Sequence, residues 1–257
     1  MTSPVETTTQ GGVLHVCINR PEKRNALSMA TLDAIAAAFA AAANDEDLRL
    51  AVLTSAGDKS FAAGGDLKEL ASVKGEEAAV AMATHAKAAL SAVRNFPLPV
   101  IAALNGDALG GGAELAMACD MRVAASHARI GFIQGKLGIT SAWGGGVDLM
   151  RLIGPALALQ MMTRMEVLSP ADASEMGLYN ATADEGTTLE DAVESFIGPM
   201  LGQSPHVMRA FKEMALHLRR NDREEMDRLE TYNFGLAWAH PDHDRAVDRV
   251  LNKTRAT

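Results

Sequence analysis

Aromatic side chains make up only 4% of this 257-residue chain, so Ala, Val, Leu, Ile and 14 Met must fill its interior. Only two cysteines occur, Cys17 and Cys119, each inside an apolar run (VLHVCI and LAMACD). That excludes a disulfide framework and reads as buried thiols in a reducing compartment. Basic residues are outnumbered, 24 Lys and Arg against 32 Asp and Glu, for a net charge of −8. Nucleic acid and anionic membrane are thereby excluded as broad partners, since basic stripes supply most of that affinity. Any anionic ligand needs a local basic cluster. No run approaches the about 20 apolar residues of a membrane span. The opening MTSPVETTTQGG lacks the basic and apolar regions of a signal peptide, so a cytoplasmic location is expected.

Apolar residues are 48% and charged residues 22%, ordinary globular usage for one large domain or two small ones. Strand-like runs at 13–18, 48–55, 99–104 and 121–125 alternate with helical patterns. One helix begins after Ser28, a plausible N-cap, and another spans about 76–94. Such alternation predicts βαβ units and a mainly parallel sheet. Beyond Gly154 the β pattern fades, and helices are predicted at 155–165, 170–177, 188–201, 205–220 and 222–254. The expected organisation is an α/β core over 1–195 and a helical region over 196–257.

Several catalytic signatures are missing. GDKS at 57–60 lacks the first glycine of a phosphate loop, and the triple glycine at 110–112 does not fit G-x-G-x-x-G. No serine lies in G-x-S-x-G. His240 and His243 flank Pro241 without a third ligand nearby and read as helix-end polar residues, so no metal is expected.

Two glycine-containing loops remain, FAAGGDLKEL (61–70) and NGDALGGGAELAMACD (105–120), each following a predicted strand. Close packing of a turn against a neighbouring helix would explain the second taken alone. Together they suggest an oxyanion hole: a helix N-terminus with free N–H groups, approached by a second bare loop. Glycine lets a carbonyl group approach those donors with no Cβ in the way.

These two segments closely resemble the FAAGADIKEM-type and NGxAxGGGxELAxxCD segments of the crotonase, or enoyl-CoA hydratase/isomerase, superfamily. NRPEKRNAL (19–27) and SPADASEMGLYN (169–180) are similar to two further signatures, so the resemblance covers essentially the whole chain. It implies a crotonase-like α/β spiral of ββα units with a helical C-terminal trimerisation region. It also implies an acyl-CoA thioester substrate and a homotrimer or hexamer. No cofactor is implied, because CoA belongs to the substrate. By position, Gly65 and Gly111 match the backbone donors that polarise the thioester carbonyl. Ala63, Gly65, Asp66, Leu67 and Lys68 match the substrate-binding run. Lys23 and Arg24 match the segment bordering the CoA nucleotide, with a solvated turn as the alternative; Lys253 or Arg255 could reach a neighbouring subunit's nucleotide.

The acid/base positions depart from the hydratase pattern. Glu114 matches the first of the family's two glutamates, but the second is replaced by Gln134. An amide can orient water or substrate but cannot act as a general base. Trp143 stands where hydratases carry small residues, and FGLAWAHPDHDRA (234–246) adds a second tryptophan. Both stretches resemble the ethylmalonyl-CoA decarboxylase branch, although Trp143 could equally fill the acyl pocket. The implied activity is hydratase-type. Decarboxylation of a substituted malonyl-CoA and a catalytically silent acyl-CoA binder are the alternatives.

Overall fold

A computed structural model describes residues 3–255, with side chains as far as Val250. The chain opens on an antiparallel hairpin, β1 (Val5–Gln10) and β2 (Val13–Ile18). Its turn residues Gly11 and Gly12 have φ of 60° and 82°, the positive values that match a two-residue turn to strand twist. The sequence pattern predicts β2 and misses β1. VETTTQ buries only Val5, because an edge strand facing water carries no apolar alternation.

There follow α1 (Met29–Ala42), β3 (Leu50–Ser55), β4 (Ser60–Ala62), α2 (Leu67–Leu70), α3 (Gly75–Arg94), β5 (Val100–Leu104) and β6 (Asp107–Leu109). Then come α4 (Gly111–Ala118), β7 (Met121–Ala124), β8 (Ile130–Gly131), α5 (Gly145–Ile153), α6 (Pro155–Thr163), β9 (Val167–Leu168) and α7 (Pro170–Glu175). The last elements are β10 (Ala181–Thr182), α8 (Leu189–Leu201), α9 (Pro205–Arg220), α10 (Arg223–Ala239) and α11 (Pro241–Arg255). As predicted, the Ser28 hydroxyl caps α1 by accepting from the Thr31 N–H at 3.2 Å.

Two sheets form the core. The larger has the order β1-β2-β3-β5-β7-β10 and is parallel from β2 onward; the smaller runs β4-β6-β8-β9. Alternation along the parallel strands assigns each face. Leu50 and Val52 of β3, with Ile101 and Ala103 of β5, meet Val193 and Ile197 of α8. Ala51, Leu53, Val100 and Ala102 point the other way into the main core. A sheet covered on both faces gives the continuous apolar runs seen in its strands. Where aromatics are scarce, alanine brings helices close: Ala79, Ala83, Ala86 and Ala89 line the buried side of α3.

The expected helix over 222–254 is broken. His240 is extended (φ −77°, ψ 139°) and Pro241 begins α11, because a residue before proline is pushed out of the helical region. β9 and β10 lie beyond the point where the β pattern fades; at two residues each they are too short to make one.

A buried ion network ties α9 and α10 to the core. Asp148 of α5 pairs with Arg94 at 2.8 Å, Arg223 at 2.6 Å and Arg219 at 3.4 Å. Burial alone would raise the Asp148 pKa, but the three guanidinium groups hold it below the usual carboxylate range. Arg219 and Lys212 of α9 also reach Asp120.

Candidate active site

The NRPEKRNAL segment acts as a clamp for the first glycine loop. Asn25 is buried and donates to the carbonyls of Ala56 (2.9 Å) and Ser60 (2.7 Å), while accepting from the Arg20 N–H. Leu27 then brackets Gly65: its N–H donates to the Gly64 carbonyl at 2.8 Å, and its carbonyl accepts from the Asp66 N–H at 2.9 Å. The three glycines of the second loop do different work. Gly110 takes φ 55°, ψ −119°, turning the chain into α4. At Gly112 an added Cβ would fall 2.0 Å from the Ala62 carbonyl oxygen, so close packing explains that glycine.

Gly65 and Gly111 share the wall of a cavity of about 210 Å³ with Ala63, Glu114, Gln134 and Trp143. Neither glycine N–H has a hydrogen-bond partner among the described residues. The Trp143 ring, 5% exposed, stands beside both. A Cβ on Gly111 would fall 2.3 Å from its Cζ3, and one on Gly65 would fall 3.4 Å from its Cη2 and 2.7 Å from Leu70 Cδ1. The bulk of Trp143 thus accounts for glycine at 111, whereas a Cβ at 65, where the resembling segment carries alanine, would meet Leu70 first and the indole only at ordinary contact distance.

Glu114 is 2% exposed, on the first turn of α4. Its Oε2 accepts from the N–H groups of Trp143 (2.8 Å) and Gly145 (3.0 Å) at the start of α5. Its Oε1 accepts from Gln134 Nε2 (3.1 Å) and the Ala142 N–H (3.4 Å). Burial, then the negative charge of Glu230, outweigh these donors and push the Glu114 carboxyl up to about 7. Such a group can both take and return a proton near neutral pH.

Leu67 also lines the cavity, whereas Asp66, Lys68, Lys23 and Arg24 are not on its wall. Asp66 is instead a strut, paired with Arg20 at 2.9 Å and Lys23 at 3.9 Å. Burial opposes its ionisation, but these cations hold its carboxyl below the ordinary range. The side chains of Lys253 and Arg255 lie outside the described residues. His240 Nδ1 accepts from the Asp242 N–H, the helix-end role expected of it, whereas His243 is buried against Trp238 and donates from Nδ1 to the Leu137 carbonyl, a tertiary contact and not a helix-end one. Among the described residues no group of three or more His, Cys, Asp or Glu is arranged to hold a metal ion.

Nothing in the sequence marks Glu230, Ser141 and Lys87 around Glu114, while Phe234 and Trp238 of the 234–246 stretch prove to line the cavity. They come from segments remote in sequence, and Glu230 sits in the charge-rich run REEMDRLE, where nothing distinguishes it. A second cavity of about 450 Å³, bordered by α11, shares Leu67, Leu70, Leu137, Ile139, Trp238 and Val250 with the first.

Comparison with known sequences decides the family: the sequence pattern of "Enoyl-CoA hydratase/isomerase" matches residues 8–256. The chain belongs to the enoyl-CoA hydratase/isomerase family. Among its relatives, the crotonyl-CoA hydratase of Syntrophomonas wolfei is 36% identical over 239 residues, covering 93% of this chain and 91% of that protein. The short-chain-enoyl-CoA hydratase of Clostridium acetobutylicum is 31% identical, covering 96% and 94%. A solved enoyl-CoA hydratase from Bacillus anthracis superposes with a TM-score of 0.79 at 29% identity, covering 97% and 96%. The crotonase-like fold expected from the resemblance is therefore the fold of this family member.

Proposed function

We propose that this family member hydrates a short-chain enoyl-CoA thioester. The carrying observation is that Glu114, poised near neutrality, shares one cavity wall with the unpartnered N–H groups of Gly65 and Gly111. The thioester oxygen would take both N–H groups, with the N-terminus of α4 behind Gly111 favouring the developing negative charge. Glu114 would remove a proton from water as its oxygen bonds to the β-carbon. The same carboxyl would then return that proton to the α-carbon of the enolate. Gln134, already bonded to Glu114, would orient the water without exchanging a proton. The water is consumed whole, hydroxyl to one carbon and proton to the other, so a second carboxylate is not required.

The hydratase relatives support this reading over the decarboxylase and silent-binder alternatives, which they do not favour. Trp143 supports a short acyl group by occupying the space beside the two donors. The nucleotide would lie outside the cavity near Lys23, Arg24 and Lys68, and no cofactor beyond the substrate's CoA is invoked. We further propose a cytoplasmic homotrimer or hexamer, with 1–195 as the core and 196–257 as the oligomerisation region, a boundary that falls inside α8, whose Ile197 still packs on the sheet. Exposed Phe211, Met214 and Leu218 on α9, with Leu229 and Tyr232 on α10, favour such a contact.

The test follows loss of the conjugated thioester absorbance with crotonyl-CoA and with long-chain enoyl-CoA esters. Saturable hydration with preference for crotonyl-CoA is expected. No hydration of any chain length would overturn the proposal.

A further inference from the structure

Glu230 belongs to no motif, yet it occupies the other half of the cradle that holds Glu114. Its side chain, 8% exposed, projects from α10. Oε2 accepts from the Gly144 N–H at 2.8 Å, and Oε1 from the Ser141 hydroxyl at 2.9 Å. Glu114 takes the neighbouring N–H groups of Ala142, Trp143 and Gly145. Four consecutive backbone donors leading into α5 are thus divided between two carboxylates from different helices. A helix N-terminus concentrates positive potential, which stabilises both anions while their mutual repulsion opposes it.

We propose that Glu230 is a positioning residue for Glu114, fixing the Ser141–Gly144 backbone that receives Glu114 and setting a second negative charge against it. The proposal deepens the hydratase reading and rests on it for what Glu114 does to substrate.

The surrounding charges are accounted for. Lys87 of α3 pairs with Glu230 at 3.0 Å and is anchored independently by the Asp227 carbonyl (2.8 Å) and the Thr231 hydroxyl (2.9 Å). Arg223 donates to the Gly144 carbonyl at 3.1 Å, and Arg94 to that of Trp143 at 3.5 Å; both are committed to Asp148. Asp227 faces Lys87 and Arg223. After burial itself, Glu230 is the neighbouring charge that raises the Glu114 carboxyl, with Lys87 as its own cationic partner.

The test is a carbon-13 titration of carboxyl-labelled Glu side chains, with the Glu114 resonance assigned by its loss in E114Q. In E230Q the amide oxygen can still accept from Gly144 while the charge is gone. The Glu114 midpoint should then fall by about half to one pH unit. E230D, which keeps the charge, should return it toward the wild-type value. In turnover, the limb of the kcat/KM profile due to Glu114 should move by the same amount, with KM within about twofold. An unmoved Glu114 midpoint in E230Q would overturn the proposal. Because the titration needs no turnover, an enzyme inactive on enoyl-CoA would defeat the hydratase reading and leave this test intact. Amide exchange of the wild-type protein gives a second check needing no variant. Gly144 should be protected alongside Trp143 and Gly145, and exchange of Gly144 at open-loop rates would contradict its being held.

Discussion

At the residue scale, Glu114 links stability to pH. Its carboxyl titrates near 7 in the fold against an ordinary value of 4.5, so the folded state holds the proton more tightly than the unfolded chain does. Its contribution to stability is therefore fully present below about pH 4.5 and is lost as pH rises toward 7. The loss amounts to roughly 3 kcal/mol at most. Urea unfolding of wild type and E114Q at pH 5 and pH 8 reads this directly: the wild type should weaken more over that interval. Equal pH slopes would contradict the burial account. Trp143 carries a second prediction at this scale. W143A should open the space beside Gly65 and Gly111, so kcat/KM for longer enoyl-CoA esters should rise relative to crotonyl-CoA by roughly tenfold, near the discrimination a few methylenes supply. An unchanged chain-length ranking would show that another residue ends the pocket.

At the scale of elements, the seating of α5 depends on the Asp148 network. Replacing Asp148 with alanine leaves the arginines of α3, α9 and α10 buried without their shared anion, and about 3–5 kcal/mol should be lost. Thermal unfolding with an early transition confined to the C-terminal helices is the expected form, and an unchanged Tm would remove the network from the account. The same elements explain how much the sequence can say. The runs at 48–55 and 99–104 are buried on both faces and stand out as strands; β1, polar on its exposed side, does not. Glu114 and Gly111 are legible because one helix start carries both. Glu230 is not, since its partner Gly144 lies 86 residues away and only the α10 packing joins them.

At the scale of the whole molecule, a net charge of −8 leaves room for a small anion held at the edge of a cavity by a local basic cluster. The apolar faces of α9 and α10 remain exposed in a single chain, and sedimentation should give a trimer or hexamer; a monomer at micromolar concentration would contradict the proposed oligomer. In the proposed reaction one carboxylate, set beside two backbone donors, performs the proton transfers of hydration while Gln134 takes no proton. Crotonyl-CoA turnover by E114Q tests it most directly, with binding of a saturated acyl-CoA measured in parallel. A fall in kcat of about 10²–10⁴ is expected, with the binding constant nearly unchanged. Wild-type turnover by E114Q would contradict it.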